Sequence, residues 1–232
     1  MGKSIIQQAR GHGSLTYRVR RRAYRFEIKY PMGEGIGKVI KLVNSPGHSA
    51  PLAKILLRHK IYYNQACKNM VEGQDISFGG IEVKDGNVLQ LKDIPTGTNI
   101  YNLEVKPNDG GKLVRAGAVC ALVTRKIPGK VGVMMPSKKE VFFDEKARAT
   151  IGTIAGEGRL DKPIILAGKM HHMMKARNKM WPQTSAVKVN AIDHPFGSGR
   201  GKRIKSKIAK RNAPAGARVG LLRPKRTGRK KR

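Results

Sequence analysis

Between residues 37 and 170, apolar side chains fall in short runs broken by glycine, proline, aspartate and asparagine. That spacing predicts β-strands joined by tight turns. Residues 38–43 (KVIKLV) predict a first strand. Residues 54–63 (KILLRHKIYY) predict a longer second element, which periodicity alone leaves open between strand and helix. Residues 75–78 and 87–91 predict two more, with Asp85-Gly86 as a hairpin-type turn between candidate strands. Residues 100–105 alternate as a half-buried strand should, and residues 118–123 read as a continuous apolar strand. Residues 131–135 and 140–143 predict a hairpin around Pro136-Ser137. Turns at 94–98 and 107–111 punctuate this half, and 150–154 closes the set. The pattern is that of two small β units, the first a barrel or sandwich and the second a barrel.

The texture changes at Met170. Residues 170–182 predict one short helix ending before Pro182. Beyond Phe196 apolar residues are too sparse for a core. Ile204 and Ile208, four apart, predict a brief helical turn, and the remainder is expected to stay disordered unless bound.

Charge then changes the picture. The 232 residues hold 48 Lys and Arg against 15 Asp and Glu, a net charge of +33. Residues 171–232 carry +18 of this and residues 1–30 carry +7, so a nearly ordinary centre is flanked by two basic extensions. Such a charge repels itself unless a polyanion neutralises it, and nucleic acid is the obvious one. No run reaches the length of a membrane span, no basic amphipathic helix with an aromatic face is visible, and MGKSIIQQAR has no apolar signal core. Cys67 and Cys120 stand alone; they predict two buried thiols of a cytoplasmic protein, not a zinc site or a disulfide.

In residues 17–26 (YRVRRRAYRF) arginines are interleaved with aromatic residues. The alternatives are a solvated basic face, or an arm that forks onto RNA phosphates and offers rings for stacking. Residues 33–38 (GEGIGK) fail the spacing of a phosphate-binding loop, and Gly197–Lys202 fails likewise. His171-His172 lacks a carboxylate or cysteine at useful spacing, so no metal is expected. The sharpest stretch is 189–203 (VNAIDHPFGSGRGKR). Pro195 stiffens a turn at Asp193-His194, and Gly197, Gly199 and Gly201 let a partner approach the backbone. Arg200, Lys202 and Arg203 add charge, with no acid beyond Asp193. His194 has three readings: a general base, a locally bonded turn, or a hydrogen-bonding group on RNA. No GxSxG-type nucleophile accompanies it.

These residues carry a resemblance. NAIDHPFGSG (190–199), NSPGHSAPLA (44–53), NLEVKP (102–107) with GGKLVRAG (110–117), and APAG (213–216) resemble the second protein of the large ribosomal subunit in its archaeal or eukaryotic form, over nearly the whole chain. Phe196 stands where bacterial members have a second histidine, and Ser198 where the family usually has glycine. The resemblance implies a mainly β fold: an OB-fold barrel (37–94) followed by an SH3-like barrel (95–170), with a basic extension at 1–36 and another at 171–232. It implies a structural, primary rRNA-binding protein supporting subunit association, tRNA binding and the architecture of the peptidyl transferase centre. Its expected partners are large-subunit rRNA, neighbouring ribosomal proteins, small-subunit rRNA at an intersubunit bridge and nearby tRNA, with no membrane, cofactor or homo-oligomer.

The candidate RNA-binding residues are Arg20, Arg21 and Arg22 in the arm, and His48, Lys54 and Arg115 on the barrels. In the turn and beyond they are Asp193, His194, Gly197, Gly199, Arg200, Lys202 and Arg203. Peptide transfer in that setting is ascribed to RNA, so the expectation is a non-enzyme, with an auxiliary catalytic role of His194 as the alternative. A DNA-compacting protein is the rival that charge alone suggests; it lacks the expected dimerising helices or wedge residues.

Overall fold

The structure, a computed structural model, describes residues 3–159, 161–199, 208–209, 211–214 and 216–222. It is mainly β and divides into two compact units. One comprises residues 20–177; the other comprises residues 1–19 and 178–232.

The larger unit holds ten strands: β1 Gly35–Val43, β2 Leu52–Leu57, β3 Lys60–Gln65, β4 Asp75–Phe78, β5 Val88–Gln90, β6 Asn99–Tyr101, β7 Ala121–Ile127, β8 Lys130–Met134, β9 Glu140–Asp144 and β10 Arg148–Ile151. They form one continuous sheet in the order β3-β2-β1-β4-β5-β10-β6-β7-β8-β9. The two sets of strands are therefore not independent, because β10 pairs with β5 on one side and β6 on the other.

Two cores lie within this unit. Val39, Ala53, Ile55, Ile76, Phe78 and Tyr101 belong to the first, and Leu91, Ile94, Leu103, Val123, Val131 and Val133 to the second. The central strands serve both. Val88 enters the first core and Leu89 the second; Ile100 enters the second and Tyr101 the first. Successive strand side chains point to opposite faces, so such a strand is buried on both. This corrects the half-buried reading of 100–105: Ile100 through Glu104 are all buried, and the strand itself ends at Tyr101. Asn102 (φ 48°) turns the chain out of the sheet.

Other expectations are corrected too. The element expected over 54–63 is a hairpin, β2 with β3, broken at Arg58 and His59. Both have positive φ, 44° and 65°, the geometry of a two-residue hairpin turn normally signalled by Asn-Gly. Asp85-Gly86 is a turn but no hairpin, since β4 and β5 meet in parallel at Phe78 and Val88. The apolar run 118–123 becomes strand only from Ala121, because Ala118 has φ 61°. The expected 131–143 hairpin is present as β8 and β9.

The helix expected over 170–182 runs instead from Ala167 to Ala176 (α2) and buries none of its residues. In the smaller unit a short helix, α1, spans Ile6–Gly11. Of the proposed helical turn, Ile204 lies outside the described residues, and Ile208 forms a parallel bridge to Leu221. No described helix is long and apolar enough to cross a membrane.

A buried polar network ties the larger unit together. The Tyr30 hydroxyl donates to the Asn102 carbonyl (2.6 Å). Its oxygen is then free to accept from Thr150 Oγ1 at 2.6 Å, and Thr150 accepts in turn from Asn64 Nδ2 (3.1 Å). Asn102 Nδ2 donates to Asn64 Oδ1, and Arg115 Nε donates to Asn102 Oδ1 at 2.8 Å. Burial is the first reason that the Tyr30 phenol is raised far above its ordinary value, so it stays protonated and keeps donating.

Candidate nucleic-acid interface

Cationic side chains on the sheet are set by strand register. Lys41 on β1 lies directly opposite Lys54 on β2, and Lys54 lies opposite Tyr63 on β3. Two like charges directly opposed destabilise a free sheet. Tyr63 continues the row: Phe26 sits against it at 4.6 Å between ring centroids, and the Arg25 guanidinium lies 5.8 Å from the Phe26 ring. Cations and rings thus form a strip of the kind that takes phosphates and stacked bases. Only Lys54 of this strip was expected as a site residue. Lys41 and Tyr63 are visible as residue types in the sequence, but their alignment depends on a register that includes a bulge between Val39 and Lys41.

His48 and Arg115 meet at a second place. Both line an open groove of about 520 Å³, together with Tyr24, Glu27, Lys29 and Lys112. His48 Nδ1 lies 2.7 Å from Ser45 Oγ, and the ring packs edge-on to Tyr24 at 5.1 Å. Burial, and after it the Arg115 charge, pulls the His48 imidazole below its ordinary value, so the ring is neutral at physiological pH. Arg115 gives one nitrogen to Asn102 and another to the Ile28 carbonyl (2.9 Å), so much of its work is holding the residue 28–30 segment.

Local packing explains why the resembling motifs contain what they do. Gly47 N donates to the Ala23 carbonyl at 2.8 Å, and Ser45 Oγ donates to the same oxygen. Gly117 N donates to Ser49 Oγ at 2.8 Å, and a Cβ on Gly117 would stand 2.5 Å from the Ser49 carbonyl oxygen. Residues 44–53 and 102–117 therefore interlock backbone to backbone. In the loop after Lys106, burial alone would raise the Asp109 carboxyl, but the backbone donors of Gly111, Lys106 and Val105, with Lys112, outweigh it and hold it below the usual range.

Arg20, Arg21 and Arg22 surround a smaller depression, about 240 Å³, closed by Pro46 and Ala176. Ala23, next to them, is buried.

In the smaller unit the Asp193-His194-Pro195 turn is tightly determined. Asp193 N and His194 N both donate to the Asn190 carbonyl, and Gly197 N donates to the His194 carbonyl. A Cβ on Gly197 would lie 2.4 Å from the Asn190 oxygen, so only glycine fits there. Ser198 has φ 56°, the backbone region that glycine enters most freely, and its hydroxyl compensates by accepting from Ala191 N at 3.0 Å. His194 Nδ1 accepts from Phe196 N (3.1 Å), and its ring lies 5.0 Å from the Phe196 ring. Asp193 does not orient the imidazole; it pairs with Lys3 at 2.7 Å. Lys3 N also donates to the Ile192 carbonyl, so the start of the chain is fastened to this turn. Gly199 follows in a bend, while Arg200, Lys202 and Arg203 lie outside the described residues. Among the described residues no group of three or more His, Cys, Asp or Glu is placed to hold a metal ion.

A basic β protein with like charges opposed on its sheet, aromatic rings beside them and a glycine-dependent histidine turn belongs to the class of polyanion-binding scaffolds. Sequence comparison makes the class specific. Residues 84–216 match the family described as Ribosomal Proteins L2, C-terminal domain. The chain is also 41% identical to the protein named large ribosomal subunit protein uL2 from Methanococcoides burtonii, over 99% of this chain and 100% of that one. It is 40% identical to the protein of the same name from Methanococcus vannielii, with 99% and 100% covered. The Archaeoglobus fulgidus protein of that name is 39% identical, with 98% and 99% covered. The chain belongs to the ribosomal protein L2 family, a family of ribosomal proteins and not of enzymes.

Proposed function

We propose that this chain is a structural constituent of the large ribosomal subunit, bound to rRNA and to neighbouring ribosomal proteins in the cytoplasm. The observation that carries the reading is the end-to-end similarity to archaeal proteins named for that subunit. The charge of +33 and the opposed Lys41 and Lys54 support it, because both are costly until phosphates neutralise them. In this reading residues 37–94 and 95–170 correspond to an OB-type and an SH3-like barrel that share β10. The basic segments at 1–36 and 171–232 follow rRNA, and the site residues of both units take phosphate and 2′-hydroxyl contacts whose strength depends on salt. Support of subunit association through small-subunit rRNA, of tRNA binding and of the peptidyl transferase centre belongs to the same proposal. His194 serves there as a positioned hydrogen-bonding group. A catalytic role has no support from Asp193, whose carboxylate pairs with Lys3.

Sedimentation tests this. The tagged chain should travel with large subunits through a high-salt wash. Arg200→Ala, Lys202→Ala and Arg203→Ala together should reduce incorporation; a chain that sheds from subunits in high salt, or a triple variant incorporated as well as the parent, contradicts the reading.

A further inference from the structure

The groove beside His48 contains a group that phosphate binding does not need. Glu27 is the one acid among residues 1–30, against eight basic residues. It lines the groove with Tyr24, Lys29, Lys112, Arg115 and a second acid, Asp109, whose carboxylate is taken up by Lys112 and by the backbone donors of Val105, Lys106 and Gly111. The Glu27 side chain is exposed, and among the described residues it makes no hydrogen bond or ion pair. Its charge reaches Arg115 only through space, while Arg115 spends two nitrogens on Asn102 and the Ile28 carbonyl. A carboxylate left open in a cationic groove repels phosphate, so it weakens a site that only gathers backbone. It makes sense where a ligand presents donors.

We propose that this groove takes one unstacked guanine base of a folded RNA, with Glu27 accepting from the base's N1–H and its exocyclic amine. The inference rests on the rRNA-binding reading above. Guanine alone among the four bases presents two parallel donors on its pairing edge, which match the two oxygens of a carboxylate. Cytosine and adenine each offer one amine beside an acceptor, and uracil one N–H between acceptors. Single-stranded bases in folded RNA are read on that edge and stacked on aromatic side chains. Tyr24 is 46% exposed, and its edge-on contact with His48 fixes its ring in the groove as the stacking surface. Lys29, whose stem lies across Gly110, flanks the groove and suits a phosphate beside the base, while Lys112 is paired with Asp109 at 3.4 Å. The volume of about 520 Å³ is in the range of clefts that enclose a small ligand.

The test uses the full chain and short oligouridines carrying guanosine, inosine, adenosine or cytidine at one central position, at a salt concentration that suppresses non-specific binding. Guanosine should bind tightest, and inosine, which lacks the amine, should lose much of the gain. Glu27→Gln should cut the preference for guanosine on the order of tenfold. The same change should strengthen binding of plain oligouridine, because it removes a negative charge. Tyr24→Leu should weaken every oligomer. Opposite signs for guanosine and uridine in Glu27→Gln are what mere phosphate attraction cannot produce. Salt-sensitive RNA binding without base preference would overturn this inference and leave the rRNA-binding reading standing; that is the result expected if Glu27 instead meets a basic side chain of a neighbouring protein. Preference for adenosine or cytidine would overturn the guanine assignment. Absence of any RNA binding would remove the underlying reading itself. Unchanged circular dichroism and thermal midpoint for Glu27→Gln show that folding is not the cause.

Discussion

The Arg148 guanidinium sits 2.8 Å from a Glu104 carboxylate that has no exposure to solvent. Glu104 also accepts from Gly110 N, Asn108 N and Arg148 N, and Arg148 donates further to the Pro31 carbonyl at 2.7 Å. One pair therefore joins the loop after Lys106, strand β10 and the segment that leads into β1. Removing one partner leaves a charge buried alone. Glu104→Ala should cost about 3–5 kcal/mol, read from urea unfolding of the full chain. An equal loss from the double variant Glu104→Leu/Arg148→Met would show that the pair is not the cause; the double loss should be smaller.

Lys54→Glu should move two properties in opposite directions. It turns the opposition with Lys41 into an attraction and should stabilise the free protein by about 0.2–1 kcal/mol. It should also weaken rRNA binding and lower the slope of log affinity against log salt by about one to two charges' worth. Thermal melts and a salt titration of an rRNA fragment read the two effects separately.

Gln65 is fully buried, and among the described residues neither polar atom of its side chain has a hydrogen-bond partner. Gln65→Leu keeps nearly the same volume and removes the unmet groups. It should be neutral or stabilise by about 1–3 kcal/mol. A marked loss of stability on urea titration would mean that the amide is satisfied by a buried water.

Gly117→Ala places a methyl group against the Ser49 carbonyl, backbone against backbone, where neither side can yield by a rotamer change. A loss of about 1–3 kcal/mol is expected. Amide exchange should show it first in residues 44–53 and 110–117, the two segments that interlock there.

His48 and Asp109 both contribute to the pH dependence, and they act in the same direction. The His48 pKa is depressed below 6.5 in the folded protein. Above 6.5 both states are neutral and the full contribution is present. As the pH falls below 6.5 the unfolded chain takes up the proton first, so stability declines until the folded pKa is reached. The Asp109 carboxyl is likewise depressed, so its contribution is full above 3.8 and is lost as the pH falls through the folded value. Unfolding midpoints should drop in two steps on acidification, and His48→Asn should erase the upper one.

Part of this molecule was legible without coordinates. Charge excess, the turn residues and short apolar runs sufficed for a mainly β protein that binds a polyanion, because those are sums or local patterns. The resembling motifs were legible as strings, and His48, Arg115 and His194 could be picked from them. The Arg58-His59 turn was not, since neither residue announces a positive φ. Nor was double burial at Ile100 and Tyr101, because one run of apolar residues cannot reveal how many cores it serves.

The residues themselves determined the polyanion partner and the turn at 193–195: net charge is additive, and proline and glycine act on their own backbone whatever surrounds them. Tertiary structure alone decided that Lys41 faces Lys54, that Asp193 answers Lys3 instead of His194, and that Glu27 stands open among cations. Those relationships join residues far apart in the chain, and a distance of a few ångströms across a register or a loop is written in no single segment.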